Sequence, residues 1–316
     1  MKIGVDAMGG DYAPSVVVEG AISASKELLE GSAIVLFGDE KRIKEEFELR
    51  ATEVPTNVEI INTTQVIEMG DSPAHAFSQK PDSSIVVGFS HLKAGKIDGF
   101  ASAGSTGAMM VGCIMVSRQI EGVLRPAIAT VLKKDSGKQM LILDIGLNVD
   151  CKPEVLAQYG LIGSIYCKQV LGFENPKVSL LNIGEEPEKG NAQAKAAHAA
   201  MSALADKYNF VGNVEPKHLF TGDSADVFVC DGYVGNIILK LCEGIYPIVR
   251  PQFEADSIID AFNYELQGGT PVLGVNNCVI IGHGCSTALA IKNMILQTEL
   301  NVKSSLVETM KEAFTK

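Results

Sequence analysis

The sequence predicts a three-layer α/β/α fold with a mostly parallel sheet, and three observations support this prediction. Short β-rich runs alternate with segments of helical periodicity along the whole chain. The helical segments reach about a dozen residues, which is long enough to cross over between parallel strands. Loops rich in Gly, Asn, Asp and Ser follow many of the strands. We therefore expect a single large α/β domain over residues 1–316, in which the irregular stretch 245–267 can form a small protruding helical element.

Strand and helix patterns alternate through the first half of the chain. Strands are predicted from short runs rich in apolar and β-branched residues, namely Lys2–Asp6, Ala33–Phe37, Val58–Ile61 and Ile97–Ala101. Helices are predicted from longer periodic segments, namely Pro14–Leu29, Ser83–Ala94 and Ser105–Arg118. Two β-like runs, Ala127–Leu132 and Met140–Leu143, flank a Lys-Asp-Ser-Gly turn, which predicts an antiparallel hairpin.

The same alternation continues to the C-terminus. The segment Pro153–Leu171 is predicted as a helix that begins at proline, where the missing N–H costs nothing. Further helices are predicted at Asn191–Lys207, Gly235–Ile248, Ile258–Leu266 and from Ser286 onward. The remaining strands are predicted at Val178–Asn182, Phe210–Val211, Val227–Cys230 and Val279–Ile281.

The charge balance argues against a nucleic-acid partner. The chain has 316 residues, with 38 acidic and 27 basic residues and a formal net charge of −11. No basic block stands out, and nucleic-acid affinity depends mainly on phosphate neutralisation. A small basic pocket for inorganic phosphate is compatible with this balance, because a local patch does not depend on net charge.

The cysteines and the N-terminus favour a cytoplasmic protein. Seven cysteines are present and none form a C-x-x-C pair, so buried reduced thiols are expected rather than disulfides or a metal site. The N-terminus has the pattern of a strand followed by a glycine turn, which is unlike a signal peptide. No apolar run approaches the ~20 residues that cross a bilayer.

Six loops share one design, in which an apolar strand is followed by polar and glycine residues and then a helix. They cover residues 5–14, 102–108, 143–150, 182–191, 230–236 and 281–287. Ligands of parallel α/β folds bind at the carboxyl ends of strands, so candidate site residues are sought there. The first loop contributes Asp6, Gly9 and Gly10 as candidates for phosphate or substrate binding.

The loop 102–108 has the composition of a phosphate cradle. Gly104 and Gly107 remove side-chain bulk, so backbone N–H groups can close on an anion. Ser105 and Thr106 add hydroxyl donors at a helix N-terminus, where the helix dipole favours negative charge. A plain strand-to-helix turn with a Ser/Thr cap explains the same residues equally well.

Four further residues are candidates for catalysis. Lys189 stands at the mouth of a helix and can pair with phosphate or polarise a carbonyl group, although a solvated surface lysine is the commoner case. Asp231 can orient a base or cap the next helix, and Asn236 can donate to an oxyanion. His283 lies between two glycines and can protonate a leaving thiolate, or be held by hydrogen bonds within its turn.

Two asparagines complete the candidate set for substrate binding. Asn148 can position reacting groups or satisfy the backbone of its turn. Asn191 follows Lys189 and Gly190 at the start of a helix. The standard P-loop, dinucleotide-binding and nucleophile-elbow motifs are absent from the sequence, as is any cluster with metal-ligand spacing. No cofactor and no metal are expected.

Six ordered segments closely resemble the phosphate acyltransferase family of bacterial phospholipid synthesis. They include VDAMGGDYAP, SAGSTGAMMVG, LDIGLNVDCKPE, LLNIGEEPEKGN, DVFVCDGYVGNIILKLCEG and GGTPVLGVNNCVIIGHGCSTALAIKN. The resemblance runs over nearly the whole chain. It implies a fold similar to that of the isocitrate and isopropylmalate dehydrogenases and of phosphotransacetylase.

The resemblance also implies a reaction and its partners. Acyl-acyl carrier protein and inorganic phosphate would give acyl phosphate, which a membrane acyltransferase (PlsY) uses to acylate glycerol 3-phosphate. Members of the family are usually homodimers and work at the membrane surface. We therefore expect a cytoplasmic homodimer with peripheral membrane contact, for which residues 245–267 are the candidate segment.

Three other functions remain open at this stage. A metal-dependent decarboxylating dehydrogenase would share the fold, but the aspartate cluster that it needs is missing. A scaffold that recruits acyl carrier protein would not need so many glycine-rich loops at strand ends. Transfer of a short acyl group between phosphate and coenzyme A differs only in chain length and in the thiol carrier.

Overall fold

A computed structural model describes residues 1–252 and 258–315 of the chain. These residues form two compact units, the first comprising residues 1–119 and 264–303 and the second residues 120–263 and 304–316. The prediction of a single domain over 1–316 stays a prediction, and each unit is described separately. Of the predicted protruding element at 245–267, residues 253–257 lie outside the described residues.

The first unit is built on six strands. In chain order they are β1 (Lys2–Asp6), β2 (Ala33–Gly38), β3 (Val58–Asn62), β4 (Gly99–Ser102), β10 (Thr270–Leu273) and β11 (Cys278–Ile281). Their order across the sheet is β3-β2-β1-β4-β11-β10, and only the β10–β11 pair among them is antiparallel. The helices are α1 (Ser15–Ser25), α2 (Glu40–Leu49), α3 (Pro73–Gln79), α4 (Ser84–Lys93), α5 (Thr106–Gly112), α9 (Tyr264–Gln267) and α10 (Ala288–Lys303).

The second unit is built on five strands. They are β5 (Ala127–Lys133), β6 (Gln139–Leu143), β7 (Lys177–Leu181), β8 (Asn209–Val214) and β9 (Val227–Val229), in the sheet order β5-β6-β9-β7-β8. The β5–β6 pair is antiparallel, which confirms the predicted hairpin, and the other pairs are parallel. The helices are α6 (Pro153–Gln169), α7 (Ala192–Ser202), α8 (Gly232–Val249) and α11 (Leu306–Thr315).

Each unit has its own apolar core. In the first, the rings of Phe37 and Phe89 pack edge-on against Phe100, with centroids 6.0 and 5.3 Å from its own. In the second, Phe228 and Ile142 are fully or almost fully buried in a cluster beneath α8. Apolar residues on successive strands are therefore covered by helices, as expected of a parallel sheet. The mostly parallel α/β prediction is confirmed.

Several local predictions were wrong or incomplete. Helices α2 and α3 and strand β10 were not predicted, because each is short and has a weak apolar pattern. The segment predicted as one helix at Ile258–Leu266 is a 3₁₀ segment at Ile258–Phe262 followed by α9. The C-terminal helix breaks after Lys303, where Ser305 adopts a positive φ of 53°. No helix in the described residues is long and apolar enough to cross a membrane.

Candidate active site

Three glycine-rich loops meet at one edge of the first sheet, and we call them the first loop cluster (residues 7–14, 103–106 and 282–287). They follow β1, β4 and β11, which are adjacent and parallel, so their carboxyl ends lie together. The Gly282 N–H donates to the Ser102 carbonyl at 2.8 Å, and the Asp11 N–H donates to the Gly284 carbonyl at 2.8 Å. The loops are therefore bonded to one another through their backbones.

A buried carboxylate holds two of these loops in place. Asp6 is 2% exposed, and its Oδ2 accepts a hydrogen bond from Ser102 Oγ at 2.7 Å. Its Oδ1 accepts from the Met8 N–H at 3.0 Å, while Ser102 Oγ accepts from the Gly104 N–H at 2.9 Å. Burial raises the pKa of Asp6 above its ordinary value, although the hydrogen bonds oppose this shift. Asp6 thus positions the loops after β1 and β4, and its carboxylate is too buried for a ligand to contact it directly.

Glycine allows the backbones of the first loop cluster to approach closely. A Cβ at Gly9 would collide with Asp6 Oδ2 and lie 2.7 Å from the Gly104 nitrogen. Gly10 has a φ of +105°, which favours glycine. Gly107 instead faces Pro73 of α3, so its missing side chain serves helix packing. The structure brings Gly9, Gly10 and Gly104 together and leaves Gly107 in a packing position.

Ser105 and Thr106 begin α5. Ser105 is buried, and its Oγ accepts from the Ala108 N–H at 3.3 Å as an N-cap. Thr106 is exposed at the first helical position. The cap interpretation explains the geometry of Ser105 in this structure, and phosphate contact by the two hydroxyl groups stays a prediction.

His283 is exposed at the tip of its loop and has two neighbours that the sequence did not reveal as candidates. Its Nδ1 lies 3.0 Å from Cys285 Sγ, and its ring centroid lies 5.2 Å from that of Tyr264. Cys285 Sγ in turn lies 3.4 Å from the Tyr264 hydroxyl. The Cys285 N–H also points at His283 Nδ1, at 3.5 Å.

The second unit has its own set of loops, the second loop cluster (residues 144–152, 182–191 and 230–231). They follow β6, β7 and β9, which are adjacent and parallel in the order β6-β9-β7. Their carboxyl ends therefore share one edge of the sheet. The predicted residues Asn148, Lys189, Asn191 and Asp231 belong to these loops, and Asn236 lies in the first turns of α8.

Asp144 organises the second loop cluster and was missed by the sequence analysis. Its carboxylate is fully buried and accepts from the backbone N–H groups of Ile128, Gly146 and Leu147 at 3.2 to 3.3 Å. It also accepts from the Asn148 N–H at 2.6 Å. Burial raises the pKa of Asp144. An aspartate at the end of a strand, followed by a glycine-containing turn, is a sequence signal for a carboxylate that accepts hydrogen bonds from that turn. Asp6 follows the same pattern in the first unit.

The side-chain amide of Asn148 donates its hydrogen bonds to groups inside the protein. Its Nδ2 donates to the Pro126 carbonyl and to the Tyr159 hydroxyl, both at 2.8 Å, and to Asp144 Oδ2 at 3.1 Å. Its carbonyl accepts from the Gly232 N–H at 2.7 Å, at the start of α8. Asn148 therefore ties α8 to the loop after β6, and its role in substrate binding stays a prediction.

Asp231 and Asn236 have different environments on α8. Asp231 is the N-cap, and its Oδ1 accepts from the Val234 N–H at 2.9 Å. Asn236 is exposed beside Gly146, where a Cβ would lie 3.3 Å from Asn236 Oδ1. A side chain at Gly235 would collide with the Asp144 carbonyl, so glycine is required for this approach of α8. Asn236 is thus the group of this pair that is presented to solvent.

Lys189 is an exposed cation in a well-ordered turn. Its N–H donates to the Glu186 carbonyl at 3.0 Å, and its carbonyl accepts from Asn182 Nδ2 at 3.2 Å. Its Nζ makes no ion pair with any residue in the described part of the chain. Gly190 has a φ of +89°, and Asn191 caps α7 by accepting from the Ala194 N–H at 2.8 Å. The ammonium group is therefore available to an anion beside a helix N-terminus.

The fold and the two loop clusters define an α/β protein of the class that binds ligands at the carboxyl ends of parallel strands. The chain belongs to the fatty acid synthesis protein family, whose model matches residues 1–308. It is 41% identical over 331 aligned residues to a phosphate acyltransferase of Desulfitobacterium hafniense (strain DSM 10664 / DCB-2), covering 99% of this chain and 97% of that one. A phosphate acyltransferase of Dictyoglomus turgidum is 39% identical and covers 100% and 98%. The resemblance stated from the motifs is confirmed.

Solved structures of known proteins share the fold. A phosphotransacetylase from Streptococcus pyogenes superposes with a TM-score of 0.71 at 17% identity, covering 96% of this chain and 94% of the other. A 4-hydroxythreonine-4-phosphate dehydrogenase from Burkholderia phymatum gives a TM-score of 0.52 at 14% identity, covering 98% and 97%. The predicted kinship of the fold with phosphotransacetylase and with a dehydrogenase is thereby confirmed.

The buried Asp6 carboxyl group predicts a pH-dependent contribution to stability. Its pKa is raised in the folded state, so the folded chain binds its proton more tightly than the unfolded chain does. The contribution is fully present below the unfolded pKa of about 3.9 and is lost as the pH rises through the folded pKa. We expect the stability of the unsubstituted protein relative to Asp6→Asn to decrease as pH rises from about 4.

Urea unfolding of both proteins at several pH values from about 4 to 7 measures this difference. Asp150→Asn, which changes an exposed carboxyl group, is the matched control. A stability difference between the unsubstituted protein and Asp6→Asn that stays constant or grows with pH would contradict the prediction.

Proposed function

We propose that this chain transfers a fatty acyl group from acyl-acyl carrier protein to inorganic phosphate, releasing acyl phosphate and the free carrier thiol. Family membership and curated relatives named phosphate acyltransferase support the proposal over nearly the full length. The observation that carries it in the structure is the exposed ammonium group of Lys189 beside the N-terminus of α7, which makes no ion pair within residues 1–252 and 258–315. An ammonium group in this position can bind an anionic nucleophile such as phosphate.

The chemistry assigns a role to each reactive side chain. Phosphate is a weak nucleophile towards a thioester, so it must be held with one oxygen in line with the carbonyl carbon. Lys189 would bind its charge, together with loop N–H groups. Attack forms the new C–O bond and places negative charge on the carbonyl oxygen, to which Asn236 would donate.

Collapse of the tetrahedral intermediate breaks the C–S bond and expels the carrier thiolate. His283 would protonate that sulfur as an imidazolium, because a neutral imidazole ring is too weak an acid to give its remaining proton to a thiolate. Asp6, Asp144 and Asn148 would hold the loops and take no proton from the substrate. No covalent acyl-enzyme is required, because phosphate can attack directly.

Reconstitution tests the reaction. Purified protein is mixed with palmitoyl-acyl carrier protein, and free carrier thiol is measured with and without phosphate, while hydroxylamine traps the acyl phosphate. We expect phosphate-dependent thiol release with matching acyl hydroxamate. Binding of the acyl carrier protein without release would support the scaffold instead. Activity with acyl-coenzyme A alone would support the short-chain transferase, and NADH production from a 2-hydroxy acid would support the dehydrogenase.

Substitution of Lys189 tests whether its ammonium group binds phosphate. Lys189→Ala removes the cation that binds phosphate, and we expect kcat/KM for phosphate to fall by roughly 10²–10³-fold, the usual loss for one transition-state donor. Lys207→Ala removes another exposed lysine of the same unit and is the control. Unchanged kinetics in Lys189→Ala, with normal thermal unfolding, would show that Lys189 does not bind phosphate and is an ordinary solvated surface lysine.

The homodimer expected from the resemblance has a candidate surface on α8. Tyr233, Ile237, Leu241, Ile245 and Ile248 are 39 to 68% exposed and recur every three or four residues, so they form one apolar stripe. The opposite face of α8 packs on the core through Ile238 and Leu239. We infer that the stripe is covered by a second copy of the chain. Peripheral membrane contact through residues 245–267 and delivery of acyl phosphate to a membrane acyltransferase stay predictions.

Leu241→Glu tests the dimer surface. Leu241 is 60% exposed near the middle of the stripe, and a charge there would have to be buried on association. We expect sedimentation velocity to show a dimer for the unsubstituted protein and a monomer for this variant. Leu49→Glu, at a 78% exposed position on α2, should remain dimeric. A dimer that persists in Leu241→Glu would exclude the stripe as the interface.

A further inference from the structure

Cys285 differs from the other cysteines of the chain. All seven lie in the described residues, and six of them are buried, whereas Cys285 is partly exposed. Burial raises the pKa of the Cys113 thiol to about 12 and that of the Cys151 and Cys242 thiols to about 11, so these groups stay protonated and unreactive. Cys285 thus combines the solvent access that a modifying reagent needs with a polar environment.

The polar environment of Cys285 is a nucleophile–base arrangement, which we call the thiol cluster (Cys285, His283 and Tyr264). His283 Nδ1 lies 3.0 Å from Cys285 Sγ and is placed to accept its proton. The Tyr264 hydroxyl lies 3.4 Å from the same sulfur, as an acceptor from the thiol, and donates to the Cys285 carbonyl at 3.4 Å. Rotation of this hydroxyl would let it donate to a thiolate at Cys285 instead. Burial raises the pKa of Tyr264, so this hydroxyl keeps its proton. A cysteine beside an imidazole and accessible to solvent is the usual setting of a reactive thiol.

We propose that Cys285 is a modification site, at which hydrogen peroxide oxidises the thiol to a sulfenic acid, and that this oxidation inhibits the enzyme reversibly. The S–H proton passes to His283 Nδ1, and the thiolate attacks one peroxide oxygen. The S–O bond forms as the O–O bond breaks, and the departing hydroxide takes the proton from the imidazolium as water. Sulfur loses two electrons and the peroxide gains them.

A thiol reductant reverses the modification in two steps. One thiol condenses with the sulfenic acid to a mixed disulfide and water. A second thiol then releases Cys285 and leaves as the oxidised disulfide. Two thiols are therefore consumed for each Cys285 restored.

The loop around Cys285 is held in one conformation by hydrogen bonds. The Ser286 N–H and Oγ both donate to the His283 carbonyl, at 2.9 and 2.6 Å, which closes a tight turn around Cys285. The Gly284 carbonyl is bonded to the Asp11 N–H at 2.8 Å. Oxidation removes the S–H group that lies 3.0 Å from His283 Nδ1, so it changes the hydrogen bonding of that ring. The effect on turnover rests on the proposed role of His283 in protonating the carrier thiolate.

Mass spectrometry tests the modification itself. The folded protein is treated with hydrogen peroxide in the presence of dimedone, which traps sulfenic acids, and the labelled peptides are mapped. We expect one adduct, on Cys285, and labelling at least about tenfold slower in His283→Gln, where the base is lost. No adduct at Cys285, an equal rate in His283→Gln, or equal labelling of the buried cysteines would overturn the proposal.

Activity measurements test the consequence. The readout is the fraction of phosphate-dependent thiol release that survives peroxide, relative to the same protein before treatment. We expect a large loss in the unsubstituted protein, recovery with dithiothreitol, and no loss in Cys285→Ser or Cys285→Ala. Equal peroxide sensitivity in these variants would overturn the regulatory part. Labelling does not depend on turnover, so an untreated protein without acyl transfer would refute the proposed function and leave the modification standing.

Discussion

The loops of both units depend on one interaction, a buried carboxylate at the end of a strand that accepts hydrogen bonds from the turn that follows. Asp6 does this after β1 and Asp144 does it after β6. The raised pKa of each carboxyl group shows that burial is unfavourable for the charge. The hydrogen bonds offset that cost and fix the loop backbone in one conformation. If either carboxylate were lost, buried N–H groups would be left without acceptors.

These buried carboxylates explain why the reactive side chains are few and exposed. The polar residues inside the loops, such as Ser102 and Asn148, are fully engaged with one another and with the backbone. Lys189, Asn236 and His283 are instead exposed to solvent. A rigid, pre-oriented loop suits a reaction in which the protein mainly positions phosphate and stabilises developing charge.

Periodicity predicted most of the fold, because strands buried on both faces and long crossover helices leave strong patterns. It failed at α2, α3 and β10, whose apolar signals are short. The Gly-rich loops lie at the carboxyl ends of adjacent parallel strands, as the sequence indicated, but the roles of their side chains were harder to assign. Ser105 and Asp231 are both caps in the structure, and no sequence pattern separates a cap from a ligand-binding residue. Asp144 was missed although most of its hydrogen bonds are to its own turn, and Cys285 was missed in part because its contact with Tyr264 comes from another segment.

The close approach of α8 to the end of β6 places two predicted functions on one helix. Gly235 lets α8 pass close to the Asp144 carbonyl, because any side chain at this position would collide with that oxygen. Asn236 and the apolar stripe with Leu241 lie on this one helix, and its first residue, Gly232, is hydrogen-bonded to the Asn148 carbonyl of the loop. A protein that binds the apolar stripe therefore contacts the same helix that carries Asn236.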